Sequence, residues 1–188
     1  FTLEEVIRNS FIVDEGDPYN EILFNKSIND LKSRKLFRTI KTKISEGSDP
    51  SLKIIDLTVE EQPTGEISLG AGLGTSGGSI GGGIKENNFL GKGISLDTSI
   101  AISESSIRGH FIYSKPNFND TDNTLFTSIK SIKKNNLADF GYKTSETGLS
   151  LGTSFQQYEN FYFTPELSTS IEKLKTDSTA TSNLKKQE

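Results

Sequence analysis

Apolar residues recur along this chain with two different periods, and the change between them falls near Pro63. Upstream, Ile22, Leu23, Ile28, Leu31 and Leu36 keep a rough helical spacing, which predicts a helix running to about Lys35. Gly16-Asp17-Pro18 makes the turn before it, and Pro18 is placed to open the helix because a first-turn residue needs no N–H. Arg34 and Lys35 fall in the last turn, where they complement the helix dipole. Thr2 and Glu5 stand at capping-box spacing, so a shorter helix is expected over Leu3 to Asn9. Phe37 to Ile44 and Leu52 to Glu61 read as two strands joined by a turn at Gly47 to Pro50. Helix, helix, strand, strand leaves too little sheet to cover two helices, so a further strand is expected upstream of Phe1.

After Pro63 the period is two. Ile67, Leu69, Ala71 and Leu73 alternate with Glu66, Ser68, Gly70 and Gly72. The same pattern returns over Ile80–Ile84, Ile94–Ile102, Ile107–Tyr113, Leu125–Ile129, Leu149–Phe155 and Phe161–Ile171. The reading is a meander of seven strands, most near the ~9–11 residues that a tilted strand needs to cross a bilayer. The second face is built from Ser, Gly, Thr, Asp and Lys. It suits water in a soluble sandwich and a wet lumen in a barrel.

The aromatics separate these readings. If the chain enters a barrel from its N-terminal side, the near-side turns are Asn87–Gly93, Lys115–Asn123 and Gln157–Asn160. Phe89, Tyr113, Phe118, Tyr158, Phe161 and Phe163 lie at or beside them. Far-side ends carry mainly Phe140 and Tyr142. Clustering at one level is what an interfacial girdle requires, so the pattern favours a membrane barrel. An odd strand number and a polar stretch from Thr176 to Glu188 lead us to expect further strands downstream.

Composition changes the picture in three ways. Only 32% of residues are hydrophobic, with 17 Gly and 12 Phe. So lean a core fits disorder or strands apolar on one side, and the periodicity with its aromatics argues against disorder. The net charge of −4 offers no broad basic face, so no nucleic-acid partner is expected. The absence of Cys excludes disulfides and thiol chemistry.

Candidate chemistry is sparse. Gly72-Leu73-Gly74-Thr75-Ser76-Gly77 matches a dinucleotide fingerprint, with Asp97 downstream, but Gly78, Gly81, Gly82 and Gly83 prevent the helix that such a site needs. The stretch reads as a glycine-rich hairpin, weakly packed through Gly70, Gly72 and Gly74. His110 reads as a lumen-facing polar residue. Glu60, Glu61, Asp120 and Asp122 read as solvated rim charges, and Lys130, Lys133 and Lys134 as a loop base. No Ser-His-Asp arrangement, metal site or cofactor is expected.

Several stretches, in this order, resemble the BamA family of outer-membrane assembly factors. Gly16-Asp17-Pro18-Tyr19-Asn20 resembles the turn before the second helix of a POTRA domain. Leu31-Lys32 through Leu36-Phe37-Arg38-Thr39 resembles that helix end and the next strand, although Arg34-Lys35-Leu36-Phe37 lacks the family's glycine. Val59-Glu60-Glu61-Gln62-Pro63-Thr64-Gly65-Glu66 resembles the junction into the barrel. Asn88-Phe89-Leu90-Gly91-Lys92-Gly93 and Ser114-Lys115-Pro116-Asn117-Phe118 resemble the turns after the second and fourth barrel strands.

The resemblance implies an α+β fold in two parts. Residues 1–62 are the C-terminal part of an incomplete POTRA domain, and residues 63–188 are the first strands of an antiparallel transmembrane β-barrel. It implies a place in the cell outer membrane, with the N-terminal part in the periplasm and outer-membrane lipid around the strands. The implied function is non-enzymatic insertion of unfolded outer-membrane protein clients, with lipoprotein subunits as complex partners. On the same resemblance, client strands are expected to pair with the first barrel strand through Glu66, Ile67, Ser68, Leu69, Gly70, Ala71, Gly72, Leu73 and Gly74. The family's late arginine-glycine-phenylalanine motif has no counterpart here, so the chain is expected to be one part of a larger machine. Alternatives are a TamA-like factor or two-partner secretion transporter, a passive outer-membrane channel, and a soluble β-rich adhesion module.

Overall fold

A computed structural model describes residues 1–49, 52–74, 77–158 and 161–187. Pro50, Thr75, Ser76, Asn160 and Glu188, used in the readings above, lie outside the described residues. The chain begins with a short helix, α1 (Glu4–Arg8), and a longer one, α2 (Glu21–Ser33). A hairpin of β1 (Phe37–Glu46) and β2 (Lys53–Glu61) follows as its own two-stranded sheet. α2 buries Phe24, Ser27, Ile28 and Leu31, the i, i+3, i+4, i+7 stripe that makes one helical face. Its N-terminus is capped by Asn20, whose side-chain oxygen accepts from the N–H groups of Ile22 (3.0 Å) and Leu23 (3.1 Å). Ser27 tolerates full burial because its hydroxyl donates to the Leu23 carbonyl (2.9 Å) and accepts from the Ile12 N–H (3.0 Å). Val6, Leu31, Leu36 and Phe37 form the small core, with Ile7, Ile40, Leu57 and Val59 against it.

Two expected caps are not formed. Leu3, not Thr2, precedes α1 and makes no side-chain cap. Thr2 instead gives its N–H to the Glu61 carboxylate and its hydroxyl accepts from Asn88. Pro18 lies outside α2, which starts three residues later behind Asn20.

The second sheet is an antiparallel meander. Its strands are β3 (Gly65–Gly74), β4 (Gly77–Phe89), β5 (Ile94–Ser103), β6 (Ser106–Lys115) and β7 (Thr124–Asn136). A short helix, α3 (Leu137–Phe140), leads to β8 (Tyr142–Tyr158). The next course is broken into β9 (Phe161–Phe163) and β10 (Glu166–Thr176), both paired with β8. Pro165 stands at the break, where it cannot donate to a ladder. A last short helix, α4 (Ser182–Lys185), follows. The order is β10-β8-β7-β6-β5-β4-β3, so the sheet is open, with β3 and β10 at its edges. Lys130, Lys133 and Lys134, expected at a loop base, lie inside β7, and β8 begins well before the expected Leu149. Exposed lysines within a strand carry no periodicity signal distinct from a loop.

Register decides what each face carries. One row across the sheet reads Ile67, Ile84, Thr98, Phe111, Ile129, Leu149, Thr169. The adjacent row on the opposite face reads Ser68, Gly83, Ser99, His110, Lys130, Gly148, Ser170. Ser128 and Ser150, on the small polar face, are buried at the centre of the sheet and share a hydrogen bond of 2.7 Å. Ile67, Ile84, Ile100, Ile129, Leu149 and Ile171 on the other face are exposed. A sheet that covers its serines and bares its isoleucines is apolar outward, the inverse of a water-soluble fold. Among the described residues, no helix is long and apolar enough to cross a membrane, a criterion that does not bear on strands.

Candidate functional site

The first strand of the large sheet has one partner. β3 pairs with β4 from Gly65↔Glu86 to Gly74↔Gly77, and among the described residues no strand lies along its other side. All ten of its residues are exposed. In an antiparallel strand, alternate residues aim both backbone groups the same way, so about half of β3 points its N–H and C=O groups at an empty edge. The sequence-predicted residues Glu66 to Gly74 are therefore one continuous strand at a sheet boundary.

Glycine makes the β3–β4 ladder poor in side-chain pairs. Of the seven pairs from Ser68↔Gly83 to Gly74↔Gly77, only Ala71↔Ile80 lacks a glycine. Cross-strand pairs contribute about 0.2–1 kcal/mol each, so this hairpin rests largely on its backbone bonds. The glycines of the two strands differ in kind. A Cβ at Gly70 or Gly74 would meet nothing within 4 Å. A Cβ at Gly81 would lie 2.9 Å from the Ile100 carbonyl oxygen, and one at Gly83 would lie 3.0 Å from that of Thr98. Gly81 and Gly83 of β4 permit close backbone approach, whereas Gly70 and Gly74 of β3 are bare without steric need.

The polar face brings together residues that sequence reading kept apart. Ser99 Oγ lies 3.1 Å from His110 Nδ1, and His110 Nε2 lies 3.1 Å from Asp97 Oδ1. A Ser-His-Asp constellation thus exists, because Ser99 and His110 are register partners and Asp97 lies one pleat away. All three residues sit in regular ladders, so their backbone N–H groups are engaged and none is aimed at a developing oxyanion. The trio ties β5 to β6. Among the described residues there is no cluster of three or more His, Cys, Asp or Glu able to hold a metal ion.

The N-terminal unit is docked on the near-side turns. The Leu3 N–H donates to the Gly91 carbonyl (2.7 Å), and Val6 packs on Gly93, which has φ +63°. Asn9 donates to Asp120 (2.8 Å), and Asn117 donates to the Asn9 carbonyl (2.7 Å) while accepting from Arg34. Burial lowers the Arg34 pKa from its ordinary value, against the opposing pull of Asp30. Asp120 and Glu61, read from sequence as solvated rim charges, are therefore joint residues. Read from sequence, Arg34 falls at a helix end and Asn117 in a turn, but neither is assigned to this joint; Asn117 holds a left-handed backbone (φ +49°), a conformation that Asn tolerates.

No family model matches the sequence. It is 30% identical over 115 residues to a protein of Treponema pallidum (strain Nichols) named as an outer membrane protein assembly factor. That match takes in 57% of this chain and 14% of the relative. The structure superposes on BamA from Haemophilus ducreyi lacking POTRA domains 1–3 with a TM-score of 0.76, at 24% identity, over 93% of this chain and 34% of that one. It also matches CdiB from Escherichia coli with a TM-score of 0.69, at 17% identity, over 96% of this chain and 37% of that one. The fold is that of a BamA-type barrel segment, and the sequence has a homologue named as an assembly factor.

Proposed function

We propose that this chain is the part of an outer-membrane assembly factor that receives client strands at β3. On this reading residues 1–62 are the end of a periplasmic POTRA domain, and residues 63–188 are the first strands of a barrel in the outer membrane. The observation that carries it is the weak side-chain pairing of the β3–β4 ladder, in which seven of the ten register pairs contain a glycine. An unfolded client presents an extended segment, and β3 supplies the missing ladder partner. Backbone pairing is indifferent to side chains, which suits many clients. Within hydrocarbon, unpaired backbone groups cost several kcal/mol each, so a templated strand enters far more easily than a free one. The action is physical and calls on no catalytic group or cofactor. The edges of the β1–β2 hairpin offer the same pairing chemistry to clients or to lipoprotein subunits.

Proline scanning of the intact protein tests this. Because outward and inward positions alternate, prolines at Leu69 and Gly70 probe different sides of the strand. One should disrupt the β4 ladder; the other should spare barrel folding and lower client insertion into vesicles, read from heat-modifiable mobility of the client. If both positions leave insertion unchanged in a folded barrel, edge pairing is not the mechanism.

A further inference from the structure

The far rim of the apolar face carries a basic patch that strand pairing to a client does not use. Lys133 of β7 and Lys173 of β10 flank Ser145 of β8 in one row. In the next row Lys143 of β8 stands between Asn135 and Lys175. By strand spacing, these four lysines fall within about 12 Å of one another. All four lie on the same face as Ile129, Leu149 and Ile171. The acids at this height point the other way, since Glu146 and Glu172 are paired on the polar face. Among the described residues none of the four lysines has an ion-pair partner. They line one open depression of about 500 Å³ together with Ile102 and Ile107. Lys134 also borders it, and Glu104 is its one acid.

Like charges held this close without counter-ions call for an anion, and the isoleucine wall beside them calls for hydrocarbon. We propose that Lys133, Lys143, Lys173 and Lys175 bind the phosphate groups of a lipid in the leaflet opposite the N-terminal unit, with its acyl chain against Ile102 and Ile107. The proposal rests on the membrane-barrel reading above.

The test uses the intact protein. Flotation with phosphatidylcholine vesicles reports the membrane reading alone. Native mass spectrometry after reconstitution in mixed phosphatidylcholine and phosphatidic acid then reports which lipid stays bound. Wild type is expected to float and to retain phosphatidic acid preferentially. Lys173→Gln with Lys175→Gln should float equally and lose that preference by about five-fold per lysine removed. Lys173→Arg with Lys175→Arg should keep it, as should Lys130→Gln on the other face. Unchanged preference in the Gln variant overturns the proposal and leaves the lysines as simple interfacial anchors. Equal displacement by inorganic phosphate also overturns it, by making this a free-anion site. Failure of wild type to float removes the membrane reading and the proposal with it.

Discussion

Asn117, in a turn of the large sheet, donates its side-chain amide to the carbonyl of Asn9 across 2.7 Å, joining residues 108 positions apart. The same amide accepts from Arg34, whose guanidinium is largely withdrawn from water. One side chain thus holds the end of α1, the end of α2 and a sheet turn in one geometry. Asn117→Ala removes both bonds and strands a desolvated charge, at a cost of about 1–3 kcal/mol in the docking of the N-terminal unit. Hydrogen exchange in the intact protein should rise at residues 1–9 with little change in β5 to β8. Unchanged exchange would mean that packing of Val6 on Gly93 suffices.

Lys35 closes α2 with φ +56°, a backbone conformation that suits glycine. It stands where the family resemblance puts one. Lys35→Gly should stabilise the N-terminal unit by about 1 kcal/mol, visible as a higher urea midpoint. A lower midpoint would show that the lysine side chain contributes more than its backbone strain costs.

Gly70 and Gly81 face each other in the ladder but should respond oppositely to one methyl group. Gly70→Ala enters open space and should be neutral or stabilising by up to about 0.5–1 kcal/mol. Gly81→Ala drives a Cβ to 2.9 Å from the Ile100 carbonyl and should cost about 1–3 kcal/mol. Urea titration of the heat-modifiable barrel band separates the two. If β3 acts by its looseness, Gly70→Ala should also slow client insertion.

Glu61 accepts the backbone N–H of Thr2, which is the main reason its pKa is lowered from the ordinary carboxylate value. A group with a depressed folded pKa stabilises fully above its unfolded value and loses that contribution as pH falls through the folded one. Docking of residues 1–3 should therefore hold at neutral pH and weaken below about pH 4. Glu61→Gln should flatten this dependence in exchange rates at Thr2 and Leu3; a retained pH dependence would assign the effect to another carboxylate.

Much of the fold was legible because its signals are local. Strand parity survives in a single segment, so Ile67–Leu73 and Ile94–Ile102 announced strands with one apolar face. The buried stripe of Phe24, Ser27, Ile28 and Leu31 was only partly legible: Ile28 and Leu31 stood on the face read from sequence, but Ile22 of that face is exposed, Phe24 takes its place, and Ser27 looks polar until its two hydrogen bonds are seen. The Thr2 cap failed because Glu61, far along the chain, competes for its N–H.

The sequence by itself determined which residues share a face, since alternation in a strand is covalent geometry. Only the tertiary structure decided which rows stand beside one another. That relation places His110 against Ser99 and Asp97 and gathers four lysines at one rim. Each depends on register between segments, and register is set by turns and ladders acting across the sheet, not by the residues of any one strand.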